Sequence, residues 1–434
     1  MRHTFVGFGF GPIQSGLFAK EAADSGRFDE IVVAEVDGAL VDALRKNNDT
    51  YTMNIAHADR VEAVTVKGVK LLNLSVPEDV SRLRTTLASA TEIVTSLPSV
   101  DFYTRCSGVA VQRQAQHSSA ATLIAEGLRA NPDGQTIIYT AENNNHAAEI
   151  LGRAVETTPS RIRATPPQEG NNSPPAEGCP KGGVVSLPMR PHQYLNTVIG
   201  KMSQVVTDPQ EIARRNLSPI VPQFPRAFLV EAFNRILVSK ITWPGFQPGI
   251  TAFEEKDDLL PFEEAKLFGH NAIHAALGFI GKRLGVALLA DLRDNANVMS
   301  IARQAFINEI GAALVKKYAH LNDQLFTQDG FTAYAEDLLE RITNPFLADT
   351  VERAIRDPLR KLGANDRLFG AIRQCLAQGI MPSALAYAAA IAMDVVSRLP
   401  GHHPISLASL WKDNPPPPEE AARVILLMEN CCVT

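Results

Sequence analysis

The sequence predicts an α/β fold: a doubly wound parallel sheet with added strands, followed by a mostly α-helical C-terminal part. Short apolar, β-prone runs alternate with helix-like stretches over about the first 150 residues. Beyond about residue 258 the strand patterns give way to helical periodicity. We therefore predict two domains, at residues 1–258 and 259–434.

The bulk composition is that of an ordinary globular protein, with 434 residues of which 45% are hydrophobic and 21% charged. The formal net charge of −5 offers no general attraction for nucleic acid or acidic membranes. The five cysteines are odd in number and lack the CxxC spacing of a structural zinc site. We expect a cytoplasmic protein, monomeric or a small homo-oligomer, that binds small molecules and uses no metal, nucleic acid or membrane.

No segment has the pattern of an export signal or a membrane span. Glycines and Pro12 interrupt the apolar stretch at the N-terminus. The longest uncharged apolar run, Met381 to Met393, is shorter than the ~20 residues that cross a bilayer. We expect the first to form a strand and the second a buried helix.

The N-terminal glycine cluster, "GFGFGPIQSG", lies between a strand pattern and a helix pattern. His3 to Phe8 is apolar and β-prone, "LFAKEAADSG" is helix-forming, and "EIVVAEVD" is a second strand. This is the βαβ unit of a Rossmann-type domain, in which a glycine turn holds a pyrophosphate at a helix N-terminus. The predicted cofactor-binding turn is Gly9, Phe10, Gly11, Pro12 and Ile13. The fingerprint is imperfect, because Gln14 stands where a third glycine is usual, and a simple tight turn is the alternative.

Glu35, near the end of the second strand, predicts the choice of dinucleotide. A carboxylate at this position accepts hydrogen bonds from the adenosine ribose hydroxyls and repels a 2′-phosphate. The sequence therefore favours NAD over NADP.

Later segments extend the sheet. "YTMNI" and "VEAVTVKGVKLLNL" predict a hairpin-like region around Lys67 and Gly68, and "TEIVTSLPS" and "GQTIIYTAENNNH" predict two buried parallel strands. Ligands of doubly wound sheets lie at the carboxyl ends of the strands. Residues predicted there, beside the cofactor, are Thr95, Ser96, Pro98, Glu142 and Asn143. The alternative is that these polar residues only cap the strands.

Two further segments have loop composition. Residues 157–183 are dense in Pro, Gly, Ser and Asn and predict an exposed insertion. The prolines of "NPPPPEE" predict a stiff spacer before a last amphipathic helix.

Lys266, Asn271 and His274 lie in one helical stretch, within a sector of ~140° at about 100° per residue. A neutral lysine can take the proton of a secondary alcohol while hydride leaves the carbon, and apolar surroundings lower its pKa enough for this. The asparagine amide can donate to the developing alkoxide, and the imidazole can orient the hydroxyl. The alternative is a solvated surface lysine, and His270 lies in the same sector.

These residues carry a resemblance to the mannitol dehydrogenase family of zinc-independent, long-chain polyol dehydrogenases. The motif K-x4-N-x2-H occurs at Lys266, Asn271 and His274, and "AEN" after a strand supplies Asn143. The resemblance implies that Lys266 is the acid/base and that Asn143 and Asn271 form the oxyanion site. One departure is "VIGKM" where the family reads V-D-R-I, so Gly200 replaces an aspartate that can contact substrate.

The resemblance implies NAD-dependent oxidation of a sugar alcohol or its phosphate to the ketose, or the reverse. Alternatives within the family are a uronate or aldonate reductase and a dehydrogenase of the free polyol. A nucleotide-sensing protein without activity is a further alternative, against which the intact cluster argues. A metal-dependent alcohol dehydrogenase lacks support, because no Cys/His cluster is present.

The block "AIRDPLRKLGANDRL" predicts where an anionic substrate group binds. Asp357 and Pro358 have the pattern of an N-cap and first helical residue, which would place a positive helix end beside Arg356, Arg360 and Lys361. We expect these three side chains to bind a phosphate or a carboxylate. The alternative is a surface pair between Arg356 and Asp357 or Asp349, with Lys361 solvated.

Overall fold

The computed structural model describes residues 3–105, 119–159, 188–400 and 405–430. The insertion predicted at 157–183 lies outside these ranges after residue 159.

Twelve strands are present in the described residues, and all end before residue 257. They are β1 (Thr4–Phe8), β2 (Glu30–Glu35), β3 (Thr50–Ala56), β4 (Val61–Lys67), β5 (Val69–Asn73), β6 (Glu92–Thr95), β7 (Thr136–Thr140), β8 (His192–Ile199), β9 (Ser203–Val206), β10 (Ala227–Glu231), β11 (Ile236–Ser239) and β12 (Phe253–Lys256).

Six helices accompany these strands. They are α1 (Ala19–Ser25), α2 (Gly38–Lys46), α3 (Pro77–Ser89), α4 (Ala120–Ala130), α5 (Ala147–Glu156) and α6 (Pro209–Arg214). The helices that follow residue 259 are α7 (Leu260–Glu264), α8 (Asn271–Leu284), α9 (Ala296–Arg303), α10 (Ala312–Tyr318), α11 (Gln328–Ile342), α12 (Val351–Ala354), α13 (Pro358–Lys361), α14 (Arg367–Ala377), α15 (Ser383–Ser397), α16 (Leu407–Leu410) and α17 (Pro418–Glu429).

The larger sheet has eight strands in the order β12-β11-β8-β7-β6-β1-β2-β5. Its six strands from β5 to β8 are parallel, and numbered along the chain they run 3-2-1-4-5-6, the order of the Rossmann fold. Strand β11 is antiparallel to β8 and parallel to β12. The prediction of a doubly wound sheet with added strands is confirmed.

A second sheet of four strands, β4-β3-β10-β9, corrects the hairpin predicted around Gly68. The hairpin is instead formed by β3 and β4, which are antiparallel and joined through residues 57–60. Gly68 has φ +79° and lies between β4 of the small sheet and β5, which pairs with β2 in the large one. A glycine is suited to this point because the chain turns from one sheet to the other in a left-handed conformation.

The missing third glycine of the fingerprint is explained by the packing of Gln14. Gln14 lies in a π-helical turn, Gln14–Phe18, that leads into α1, and its side chain is buried. A Cβ on Gly7 of β1 would lie 2.0 Å from Gln14 Nε2. The glycine that lets helix and strand approach each other is therefore on the strand.

The apolar core of the helical part also includes residues of the small sheet, such as Leu229, and within it α8 contacts α12, α14 and α15. A Cβ on Gly278 of α8 would lie 2.7 Å from Ala354 Cβ, so this glycine lets α12 pack closely on α8. The close packing brings the basic residues from 353 onward beside the start of α8. In the described part of the chain, no helix has the length and apolar character needed to cross a membrane.

Candidate active site

The glycine turn lines a cavity of about 380 Å³ at the carboxyl ends of β1, β2 and β6. Gly9 has φ +81°, and a Cβ there would lie 2.8 Å from the Ser96 carbonyl oxygen. A Cβ on Gly11 would meet nothing within 4 Å, so the backbone there can be approached closely. The cavity lies where the strand order reverses between β1 and β6, which is where doubly wound sheets bind dinucleotides.

Glu35 also lines this cavity, and backbone amides hold its carboxylate in place. Oε2 accepts from Phe10 N at 2.7 Å, and Oε1 accepts from Val36 N at 2.7 Å and Asp37 N at 2.9 Å. The contact with Phe10 joins the end of β2 to the glycine turn. An ionised carboxylate has capacity for more than these three bonds, so Glu35 can still accept from ribose hydroxyls.

Thr95 and Glu142 lie deeper than the sequence predicted. Glu142 is buried and accepts from Thr95 Oγ1 at 2.9 Å, from Leu97 N at 2.8 Å and from the Tyr103 hydroxyl. Burial raises the pKa of Glu142. Thr95 is turned towards this carboxyl and does not line the cavity of the glycine turn, whereas Ser96 does. Glu142 thus fixes the ends of β6 and β7 and, with them, the next residue, Asn143.

A second cavity, of about 410 Å³, lies between the two parts of the chain, and we call it the central cavity. It contains Lys266, Asn271, His274 and Asn143 together, and Ile13 joins it to the cavity of the glycine turn. The four residues that sequence analysis assigned to catalysis therefore converge.

Lys266 is half-buried, and its Nζ donates to Asn143 Oδ1 at 3.3 Å. Burial lowers the pKa of Lys266 to about 8, against the opposing effect of Glu263. Three cavities have Lys266 in their lining: the central one and two neighbours of about 250 Å³ and 520 Å³. The amine thus lies beside three adjoining cavities. Its pKa is suited to proton transfer near neutral pH.

The local helix geometry differs from the assumed spacing of 100° per residue. Ala265–His270 forms a π-helical turn in which Asn271 N donates to the Lys266 carbonyl, five residues back. Such turns are frequent at functional sites because they redirect side chains out of the α-helical pattern. Lys266, Asn271 and His274 still reach one cavity, as does His270, whose pKa burial lowers well below its ordinary value.

His274 is held by a carboxylate that sequence analysis placed elsewhere. Its Nε2 lies 2.8 Å from Asp349 Oδ2, and Arg353 Nη1 lies 3.0 Å from Oδ1 of the same carboxylate. Burial acts to raise the pKa of Asp349, but the hydrogen bond from His274 and the charge of Arg353 hold it below its usual range. An ionised carboxylate only accepts, so Nε2 carries a hydrogen, and in the neutral form of the imidazole Nδ1 is an acceptor. The pairing suggested between Arg356 and Asp349 is wrong.

The central cavity is strongly basic, with seven basic lining side chains and one acidic one, Asp357. The basic side chains are those of Lys201, Lys266, Arg353, Arg356, Arg360, Lys361 and Arg367. All three predicted substrate-binding residues are in this set. Arg367, whose side chain is 12% exposed, was missed by sequence analysis although it lies in the same block.

The helix predicted at the anion site is wrong in its cap and its dipole, and the alternative of a solvated Lys361 is also wrong. Helix α13 has four residues, and Asp357, at φ 54°, makes no capping hydrogen bond from its side chain. One helical turn gives no substantial dipole, so the attraction for anions comes from the side chains. Lys361 is not solvated: it is buried, donates to the Arg356 carbonyl, and has its pKa lowered to about 8 by burial and by Arg367 and Arg360.

Glu263, one turn before Lys266, was also missed. It is buried, and burial together with the charge of Glu149 raises its pKa to about 7. Glu263 and Lys266 line the same 250 Å³ cavity. In the described part of the chain, no group of three His, Cys, Asp or Glu residues is placed to hold a metal ion.

The fold and the central cavity define a class of protein: a dehydrogenase with a dinucleotide-binding sheet and a helical domain. Residues 258–398 match the family model of the mannitol dehydrogenase C-terminal domain. This match agrees with the resemblance to the mannitol dehydrogenase family that the sequence motifs carry.

The fold is similar to those of several solved structures, including two polyol dehydrogenases. One is D-sorbitol dehydrogenase in substrate-free form, with 13% identity and a TM-score of 0.69 over 99% of this chain and 93% of that chain. The other is mannitol 2-dehydrogenase from Pseudomonas fluorescens in a ternary complex with NAD and D-mannitol, with 14% identity and a TM-score of 0.60 over 99% of this chain and 87% of that chain. At these identities the likeness shows the fold, which agrees with the predicted fold class.

Proposed function

We propose that this protein is an NAD-dependent dehydrogenase that interconverts a sugar alcohol, or its phosphate, and the corresponding ketose. The observation that carries the proposal is the position of Lys266, half-buried and 3.3 Å from the Asn143 amide oxygen, with Asn271 and His274 in the same cavity. That cavity adjoins the glycine turn, whose open backbone at Gly11 fits a dinucleotide.

The bound dinucleotide would accept the hydride of the reacting carbon. Lys266 in its neutral form takes the hydroxyl proton, and the developing oxyanion is held by the amides of Asn143 and Asn271. Nδ1 of His274 accepts a hydrogen bond from a substrate hydroxyl, because Asp349 fixes the imidazole from the other side. Each role is served by a side chain of the central cavity.

The excess of basic side chains supports an anionic substrate. Arg356 and Arg360 are exposed side chains that line the cavity, and within the described ranges Arg360 forms a loose pair with Asp357 at 3.8 Å. We propose a polyol phosphate such as mannitol 1-phosphate, with fructose 6-phosphate as its product. Activity as a mannitol-1-phosphate 5-dehydrogenase accounts for both the lysine cluster and the arginines.

The proposal is tested by initial rates with NAD on free hexitols, hexitol phosphates and hexonates. We expect turnover of hexitol phosphates, unchanged by a chelator, since the oxyanion is held by amides. Turnover of hexonates alone would instead favour a uronate or aldonate reductase, which the same arginines could serve. NAD binding without turnover of any of these compounds would support a nucleotide-sensing protein.

We expect NAD to be preferred over NADP, because the Glu35 carboxylate faces the cavity of the glycine turn and would repel a 2′-phosphate. The measurement is kcat/KM with each cofactor at a saturating concentration of polyol. A matched variant, Glu35→Gln, keeps the size of the side chain and removes the charge together with the bond from Phe10 N, so it should narrow the preference. Equal kcat/KM for NAD and NADP in the unmodified protein would show that Glu35 does not discriminate.

The pH profile should follow the depressed pKa of Lys266, which is about 8. Oxidation needs the neutral amine, so its rate should rise with pH through about 8. Reduction needs the ammonium, so its rate should fall through the same region. The rates of oxidation and of reduction are measured from pH 6 to pH 10 in stopped or continuous assays. If the two rates rose or fell together with pH, Lys266 would not be the acid/base.

A further inference from the structure

The 520 Å³ cavity beside the central cavity has no role in the proposed reaction, and we call it the side cavity. It lies between the β11–β12 edge of the large sheet and helix α11. Its apolar walls include Val198, Leu237, Phe262, Leu325, Ala333 and Tyr334. Its volume is ample for a group as large as a sugar ring.

The side cavity and the central cavity meet at Gly200 and Lys266, which line both. Gly200 is not among the residues with positive φ, so its backbone does not require glycine. A Cβ at this position would meet only Phe233 Cε1 within 4 Å, at an ordinary contact distance of 3.5 Å. Neither conformation nor packing requires a glycine there, and no side chain of residue 200 stands between the two cavities.

The charges of the two cavities differ. In the side cavity, Lys256 pairs with Glu254 at 2.7 Å and with Asp323 at 2.6 Å, and Asp337 pairs with Arg341 at 3.0 Å. Its charged groups therefore neutralise one another, whereas the central cavity carries a large basic excess. The group that fits the side cavity is neutral.

The wall formed by α11 combines an aromatic ring with a carboxylate. Tyr334 and Asp337 are three residues apart and so lie on one face of the helix. An aromatic ring packs against the C–H face of a sugar, while carboxylate oxygens accept from its hydroxyls. The Asp323 and Asp337 carboxylates already accept from protein donors, but an ionised carboxylate has capacity for further hydrogen bonds, so both can also accept from the hydroxyls of a sugar.

Building on the proposed function, we propose that the side cavity binds a neutral sugar ring linked by a glycosidic bond to the polyol. The polyol occupies the central cavity next to Lys266, and the glycosyl ring passes Gly200 and packs on Tyr334. The substrate range therefore includes glycosylated polyols.

The test measures binding, so that it does not depend on turnover. Calorimetric titrations use the full chain with NADH, which cannot accept a hydride from the polyol, and the probes are mannitol, sorbitol, glucosyl-mannitol and glucosyl-sorbitol. We expect at least one glycosylated hexitol to bind about tenfold more tightly than the free hexitol. Equal affinity of the free and glycosylated hexitols would overturn the proposal.

Ala333→Trp fills the side cavity from an exposed position on α11. We expect this variant to lose the tenfold gain while its affinity for free hexitols stays within twofold. Glu340→Trp, which adds the same bulk to the same helix outside the cavity, is the control and should keep the gain. Melting temperatures confirm that both variants fold. Retention of the gain in Ala333→Trp, or an equal loss in Glu340→Trp, would overturn the proposal.

Turnover assays separate the two proposals. Oxidation of free hexitols without any gain from the glycosyl group rejects the side cavity as a sugar site and leaves the proposed function intact. A tenfold gain in binding that Ala333→Trp removes, without turnover of any polyol, supports the sugar site and rejects the proposed function.

Discussion

Lys266→Ala should lower kcat by several orders of magnitude and leave NAD affinity nearly unchanged. The amine takes the hydroxyl proton only as the transition state forms, so its removal affects the chemical step rather than cofactor binding. With a pKa of about 8, roughly a tenth of the molecules carry a neutral Lys266 at pH 7. An ordinary lysine would be neutral in fewer than about one molecule in a thousand. The measurements are kcat with the best polyol and NAD affinity by fluorescence titration.

The matched control for this variant is Lys282→Ala. Lys282 lies in the last turn of α8, pairs with Glu352, and does not line the central cavity or its two neighbours. We expect it to keep kcat within twofold. If Lys266→Ala retained a tenth of normal kcat at its optimal pH, the lysine would not be the acid/base.

The parts of the fold and of the candidate site that depend on residues close together in the chain were predictable from the sequence. Lys266, Asn271 and His274 share one helical segment, so they face the same region even though the π-helical turn changes their spacing. The glycine turn and Glu35 were likewise predictable, because a βαβ unit fixes their relation within about forty residues.

Features that depend on distant residues were not predictable. The carboxylate behind His274 comes from Asp349, 75 residues later in the chain, and no local pattern marks that contact. The role of Gly7 is similar: it admits the Gln14 side chain, and the need for it appears only when strand and helix pack together. The raised pKa of Glu263 also follows from burial in the folded chain.

At the anion site, the three predicted basic residues do line the central cavity, but the helix that was predicted to place them there differs from the observed one. The pattern of Asp357 and Pro358 indicated a helix start, but the helix ends after one turn. The length of a short helix depends on tertiary contacts rather than on its capping residues alone. The basic side chains come from several elements, among them Arg353 of α12, which packs closely on α8 at Gly278.

Those basic side chains give the second prediction of large effect. Arg360→Ala should raise KM for mannitol 1-phosphate about 10- to 100-fold and leave KM for free mannitol within twofold. A charge-assisted hydrogen bond from an arginine to a phosphate contributes roughly 1.5–3 kcal/mol, which is about one to two powers of ten in affinity. The Arg360 side chain is 57% exposed, so its removal should not disturb the fold.

The same reasoning predicts that the unmodified protein prefers the phosphorylated polyol and that added salt weakens this preference. Arg360 lies at the exposed mouth of the central cavity, where counterions screen its charge. The measurement is kcat/KM for mannitol and mannitol 1-phosphate at low and high ionic strength. We expect the ratio of the two values to fall as salt is added.

Arg398→Ala is the matched control, since Arg398 is an exposed arginine that pairs with Asp394 and does not line the central cavity. It should leave both KM values unchanged and so exclude a general effect of the net charge. Two results would show that Arg360 does not bind a phosphate: similar kcat/KM for mannitol and its phosphate in the unmodified protein, or an equal rise of both KM values in Arg360→Ala. A selective loss of hexonate turnover in Arg360→Ala would instead assign the arginine to a substrate carboxylate, because its planar guanidinium binds either anion through two parallel hydrogen bonds.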